Sequence, residues 1–397
     1  MKPHTAQADI TRSAILAHVS TRHGCSRAQL ARELRVSPAL ITQYTRDLIA
    51  DGLLVPLAHE ASRGGRPAQL LGSATTTGDA IGCKVAADHI TMVQVRVDGM
   101  ITRADTLAFE ATAGAAVQHL GAALHAFIEQ TPTGRLLGVG VGVPGDVDEQ
   151  TVGTVDSTQL GWRGLPLGDS LRRKLGLPVI VENNVTALTI AEALYGPGLG
   201  HDNLLVVTIG TGVGAGIMSN GNLLRGRSGG AGEIGHLPIQ ENGPLCQCGG
   251  HGCLEAVLGE RALTQQARET GLIRSDASID AVRDLADQGD PAAQQIFIDA
   301  GHTFGRAMAG AVNLLDPEVL ILLGEGMLGW RHWIPGFEPA FRSALIPRNR
   351  AIPVVAETLQ DERWAQGAAS LVLSTPFDTQ EHSGEQGRLI RQRFLKP

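Results

Sequence analysis

A winged helix-turn-helix followed by a two-lobed α/β body is the fold class this chain predicts, and three observations predict it. Residues 1–75 hold three short helical patterns, then two strand patterns around a Gly-Gly loop. From about residue 76, apolar strand-like runs alternate with helical patterns. The chain has 397 residues and 50 glycines, too long for one compact core and rich in turns, so two or three domains are expected.

The elements follow in order. Residues 11–21, TRSAILAHVST, place Ile15, Leu16 and Val19 on one helical face. Ser26 then opens a second helix, SRAQLARELRV, which packs Leu30, Ala31 and Leu34. Ser37-Pro38 is an N-cap followed by proline at the first helical position, and PALITQYTRDLIADG runs to Gly52 as a stop. This third helix is the second of a helix-turn-helix. Leu40, Ile41, Tyr44, Leu48 and Ile49 are expected to pack inward, leaving Ser37, Thr42, Gln43 and Arg46 toward a DNA major groove. A strand at 53–56 and another at 68–72 flank SRGGRP, a wing whose Arg63 and Arg66 suit a narrow minor groove. Charge agrees with this division. Residues 1–75 carry nine Lys+Arg against five Asp+Glu, and the remainder 24 against 35, so a basic front end precedes an acidic body.

In the body, strands are expected at AIGCKVA, TMVQVRVD, LLGVGVGVP, PVIVENN, NLLVVTIGTGVGAGIM and VLILLG, and helices at 112–131, 164–175, 185–196, 259–270, 292–315 and 362–374. No apolar run of about 18 residues occurs and the first residues lack a signal-peptide pattern, so a cytoplasmic protein with no membrane insertion is expected. Five cysteines, an odd number, argue against a disulfide framework.

Three of those cysteines fall in GEIGHLPIQENGPLCQCGGHGCLEA. His236, Cys246, Cys248 and Cys253 form a ligand set sized for one tetrahedral Zn²⁺, on glycines that let the backbone fold around an ion.

The string CQCGGHGCLE preceded by GEIGH resembles the zinc motif of the ROK family of sugar kinases and sugar-responsive repressors. Residues 11–75 resemble the winged helix of its repressors, which its kinases lack, and the likeness extends to about residue 375. It implies an actin/hexokinase-type body whose two lobes close on a cleft: 76–190 with a helix at 362–375, and 191–361. A flexible tail from about 376 to 397 follows, or a short helix at RLIRQRF. It also implies a structural zinc and a sugar site built from Asn183, Asn184, Glu233, His236 and Glu255, with His236 serving metal and sugar from opposite ring nitrogens. Gly161-Trp162 matches the loop lining the sugar, with Gln159 where an asparagine is common.

The kinase chemistry of the family is not matched throughout. Phosphoryl transfer needs a base for the hydroxyl proton and backbone donors for the phosphates. The chain reads Glu182-Asn183-Asn184-Val185-Thr186, so an amide stands where the family's kinases carry an aspartate base. Lys84, Ala86 and Asp88 replace the first phosphate loop, D-x-G-x-T. The second loop, TIGTGVGAG at 208–216, is intact, as is the glycine pair of LGEG at 323–326. The expectation is a non-enzymatic transcriptional regulator of carbohydrate genes, most simply a repressor. It would be a homodimer or homotetramer on a palindromic operator, controlled by a sugar or sugar derivative. An active sugar kinase and a regulator governed by a protein partner are the alternatives.

Overall fold

The computed structural model describes residues 12, 15, 16, 18, 19, 24–34, 36–59, 68–74, 78–112, 114–130, 135–148, 152–227, 229–375 and 384–395. The chain divides into two compact units, Met1–Leu199 with Asp361–Pro397, and Gly200–Gln360.

The first unit opens with the helical segment. Of the helix expected at 11–21, Arg12, Ile15, Leu16, His18 and Val19 are described, all helical, and Ile15, Leu16 and Val19 are buried. Ser26 starts the helix Arg27–Glu33 with a capping box: its hydroxyl accepts from Gln29 N at 3.3 Å, and the Gln29 side chain accepts from Ser26 N at 2.8 Å. Ser37 caps the helix Pro38–Ala50. A three-stranded antiparallel sheet follows, β1 (Cys25–Ser26), β2 (Leu54–His59) and β3 (Gln69–Ser73), with β3 in the middle. The registers Leu54↔Ser73 and His59↔Gln69 make β2 and β3 a hairpin around the expected wing, whose residues 60–67, including Arg63 and Arg66, lie outside the described residues.

The rest of this unit is built on a five-stranded sheet in the order β11-β7-β4-β5-β6, with β4 (Asp79–Val85), β5 (His89–Arg96), β6 (Ile101–Ala108), β7 (Leu136–Val143) and β11 (Val179–Asn183), beside a small antiparallel sheet of β8 (Asp146–Val147), β9 (Thr154–Ser157) and β10 (Trp162–Pro166). β4 pairs antiparallel with β5 and parallel with β7. The helix Asp361–Ser374 crosses this sheet so closely that a Cβ on Gly82 or Gly140 would lie 1.9 Å or 1.8 Å from a helix carbonyl, which is why the strands read as glycine-interrupted apolar runs. Within the expected tail, residues 384–395 form a helix that includes RLIRQRF, the alternative to a flexible segment. Ile390 and Phe394, four residues apart, are buried in the same core as Leu137 and Ile180, and that burial holds the segment.

The second unit repeats the pattern. Its sheet runs β14-β13-β12-β15-β16, with β12 (Leu204–Ile209), β13 (Val213–Ser219), β14 (Asn222–Leu223), β15 (Val319–Leu323) and β16 (Val354–Glu357). Again the first strand pairs antiparallel with the second and parallel with a later one. The helices Pro291–Leu315 and Trp330–Ala344 supply its aromatic core, with Phe304, Phe337 and Phe341 in successive ring contacts at 5.4 and 5.1 Å. Among the described residues, no helix is long and apolar enough to cross a membrane.

Candidate functional site

On the helix Pro38–Ala50, Ile41, Thr45 and Leu48 face the core, while Ser37, Thr42, Gln43 and Arg46 are exposed. The Ser37 hydroxyl accepts from Leu40 N at 3.4 Å, and the Thr42 hydroxyl donates to Pro38 O at 2.8 Å. Leu40 does not pack inward as its spacing suggested. It is 43% exposed, and the inward stripe of this helix is Ile41, Thr45 and Leu48. Thr45 Oγ1 donates to Ile41 O at 2.7 Å and accepts from Arg27 Nε at 2.8 Å, a tie between the two helices that apolar periodicity cannot reveal.

In the second unit, His236, Cys246, Cys248 and Cys253 come together, their ligand atoms all within 4.8 Å of one another. Nδ1 of His236 lies 3.4 Å from Cys246 Sγ, and Cys248 Sγ lies 3.7 Å from Cys253 Sγ. The backbone is tied around this point by Cys246 N to Gly250 O at 2.8 Å, Gly252 N to Pro244 O at 2.8 Å and Ile239 N to Gly252 O at 2.9 Å. Burial, then the neighbouring thiols, push Cys253 up to about 12, whereas the Gly250 N–H lowers Cys248. Thiols crowded in this way ionise unfavourably side by side, and a divalent cation removes the conflict, so the set fits one metal ion.

The opposite ring nitrogen of His236, Nε2, lies 3.6 Å from Glu233 Oε2. Glu255 accepts the Val213 N–H at 2.9 Å. Glu233, His236 and Glu255 therefore surround the cysteine knot and the start of β13. In the first unit, Asn183 caps the helix Asn184–Tyr195. Its Oδ1 accepts from Val185 N at 2.8 Å and Thr186 N at 3.2 Å, and its Nδ2 donates to Gly145 O at 3.0 Å. Both ends of that amide already have partners. Asn184, the first helical residue, has no hydrogen-bonded side chain among the described residues. Trp162 is buried with its indole N–H on Ala111 O at 2.8 Å, and Gln159 is exposed.

Both loops that correspond to the family's phosphate loops make contacts within the protein. At the β4–β5 turn, Lys84 Nζ bonds Asp361 Oδ1 and lies 5.7 Å from the centre of the Trp364 ring. His89 sits between two carboxylates, with Nδ1 2.7 Å from Asp88 and Nε2 2.7 Å from Asp361, the latter an ion-pair approach without hydrogen-bond geometry. Burial opposes ionisation of Asp361, but Lys84 and then His89 outweigh it and hold the carboxyl below its usual range. At the second loop, Gly210 N donates to Gly212 O at 3.0 Å, and Val213 N is taken by Glu255. The Glu325 carboxylate abuts Gly210, 2.6 Å from where a Cβ would stand. Two N–H groups are thus spent and a negative charge stands beside the turn, a poor cradle for phosphate. Asp361, 277 residues from Lys84, is absent from the sequence reading, and Glu325 enters it only inside LGEG, since no local spacing links either to these loops.

The ROK family model matches residues 80–375. The DNA-binding transcriptional dual regulator NagC of Escherichia coli is 28% identical over 358 residues, covering 87% of this chain and 88% of NagC. The xylose repressor of Bacillus subtilis is 30% identical over 320 residues, covering 79% and 81%. A glucokinase of Thermotoga maritima is 36% identical over 253 residues, 59% of this chain and 78% of the kinase. Among solved structures, a ROK family transcriptional regulator described as a homologue of the E. coli MLC protein has a TM-score of 0.81 at 24% identity, covering 98% of this chain and all of that one. That likeness shows the fold, including the segment ahead of residue 80.

Proposed function

This chain belongs to the ROK family, and from that premise we propose that it is a DNA-binding transcriptional regulator of carbohydrate genes, acting as a sugar-responsive repressor and not as a kinase. One observation carries the reading: a capped helix-turn-helix precedes a body whose first phosphate site is filled by the Lys84–Asp361 ion pair. The similarity to NagC and the xylose repressor across both parts of the chain supports it.

Ser37, Thr42, Gln43 and Arg46 would meet the major groove, with Arg63 and Arg66 on the wing in the minor groove. A homodimer or homotetramer would place two such segments on a palindromic operator. Asn183, Asn184, Glu233, His236 and Glu255 would serve the sugar or sugar derivative, Asn183 chiefly by ordering the β11 end that it caps. His236, Cys246, Cys248 and Cys253 would hold a structural Zn²⁺ that fixes the ring of His236 and leaves Nε2 on the Glu233 side. The arrangement suits a cytoplasmic protein with reduced thiols.

The intact TIGTGVGAG loop and the likeness to a glucokinase favour a second reading, an active sugar kinase. Against it, Asn184 cannot accept a hydroxyl proton, a loss of roughly 10²–10⁴-fold in rate. A thermal-shift screen of monosaccharides and sugar phosphates, with and without Mg-ATP, separates the two. The regulator predicts a stabilising sugar whose effect ignores ATP; sugar-dependent ATP consumption would establish the kinase.

A further inference from the structure

We propose that Cys248 and Cys253 are a peroxide-sensitive dithiol, whose oxidation to a disulfide expels the metal ion of the cysteine knot. The inference rests on the reading of that knot as a zinc site.

The three sulfurs are not equally reachable. Cys248 is exposed, whereas Cys246 and Cys253 are each only 4% exposed. An oxidant arriving from solvent therefore meets the Cys248 sulfur first. Cys248 Sγ lies 3.7 Å from Cys253 Sγ, against a disulfide bond length of about 2.05 Å, so closure needs a shift of less than about 2 Å. The chain between them can supply it, since three of the residues Gly249, Gly250, His251 and Gly252 are glycine. Cys246 is a poorer partner. Its sulfur stands 3.4 Å from His236 Nδ1, and the single residue Gln247 between it and Cys248 leaves little backbone freedom for a bridge. Cys25 and Cys83 are buried and belong to the other unit.

Gly250 keeps the pair open. A Cβ there would stand 3.4 Å from Cys248 Sγ and 3.5 Å from Cys253 Sγ, in contact with both sulfurs, and glycine leaves that space to an incoming peroxide. The Gly250 N–H also donates to Cys248 Sγ at 3.4 Å, which fixes the sulfur beside this opening.

Hydrogen peroxide supplies the oxidising equivalents. The Cys248 thiolate attacks one peroxide oxygen, an S–O bond forms, the O–O bond breaks, and hydroxide leaves. The Cys253 thiolate then attacks the Cys248 sulfur, an S–S bond forms, the S–O bond breaks, and a second hydroxide leaves. The two thiolates have given up two electrons and the peroxide has taken them. Cys246 and His236 remain, two ligands where a structural site uses four, too few to retain Zn²⁺. The tie on the His236 ring is lost as well, and its Nε2 lies 3.6 Å from Glu233 Oε2 in the proposed sugar site.

The test is peroxide treatment of the zinc-loaded full chain, with released Zn²⁺ read by a colorimetric chelator and cross-links mapped by peptide mass spectrometry. One equivalent should leave as two thiols disappear, the bridge should join Cys248 to Cys253, and dithiothreitol with added Zn²⁺ should restore both. Gly250→Ala removes no ligand and meets both sulfurs at ordinary contact distance. That variant should bind one equivalent and release it roughly threefold or more slowly than wild type, because access sets the rate. Zinc-loaded protein that keeps its ion and thiols in excess peroxide, a bridge through Cys246, or equal release from Gly250→Ala would each overturn the proposal. A chain that takes up no Zn²⁺ would overturn the zinc reading beneath it as well.

Discussion

Thr45 shows how much a single side chain decides in the N-terminal helical segment. Its hydroxyl sits wholly buried between two helices, giving a proton to Ile41 O and taking one from Arg27 Nε. Thr45→Val keeps the shape and removes both bonds, so it should cost about 1–3 kcal/mol and weaken DNA binding through helix misplacement. Urea unfolding followed through that segment checks the first, and an unchanged midpoint would show the bond to be dispensable. At the other polar node, Asp361 has its carboxyl held below the ordinary range by Lys84 and His89. A lowered carboxylate stabilises the fold above its unfolded pKa, about 4, and that contribution disappears as pH falls through the folded value. The stability gap between wild type and Asp361→Asn should therefore be widest near pH 6–7 and close toward pH 3; a gap constant with pH would contradict the ion pair. The His236, Cys246, Cys248 and Cys253 set was legible at this scale because it is clustered in sequence, whereas Lys84 and Asp361 are not.

Elements were legible wherever burial is periodic and local. The helices Pro291–Leu315 and Asp361–Ser374 and all the central strands follow from apolar pattern and caps. Trp330–Ala344 did not, since Pro335, Gly336 and Pro339 speak against a helix, yet Trp333, Phe337 and Phe341 are buried along one face and that packing prevails. The edge strand β6 was missed for the opposite reason: it is almost wholly exposed, so it has no buried face to read. The cysteine knot is an element in its own right, and Gly252 is its hinge. With φ +66 and only 1.8 Å between a built Cβ and Gln240 O, Gly252→Ala cannot be accommodated without moving the ligand loop. That variant should bind well under one equivalent of Zn²⁺ by elemental analysis and lose its sugar response; a full equivalent would show that the knot tolerates the shift.

At the scale of the whole molecule, two five-stranded sheets of like topology follow a basic segment of a different kind, and the charge asymmetry of the sequence falls at that junction. Under the proposed reading, a body that takes up a ligand is what control of DNA binding requires: a ligand with different affinities for two states of one protein. The central claim is that sugar and DNA compete through this chain. The most direct measurement is fluorescence anisotropy on DNA fragments selected with the full-length protein, titrated with the sugar found by thermal shift and without nucleotide. The account predicts tight binding that weakens steeply with salt and is lost on addition of that sugar. DNA binding indifferent to every stabilising sugar, or no specific DNA binding at all, would contradict it.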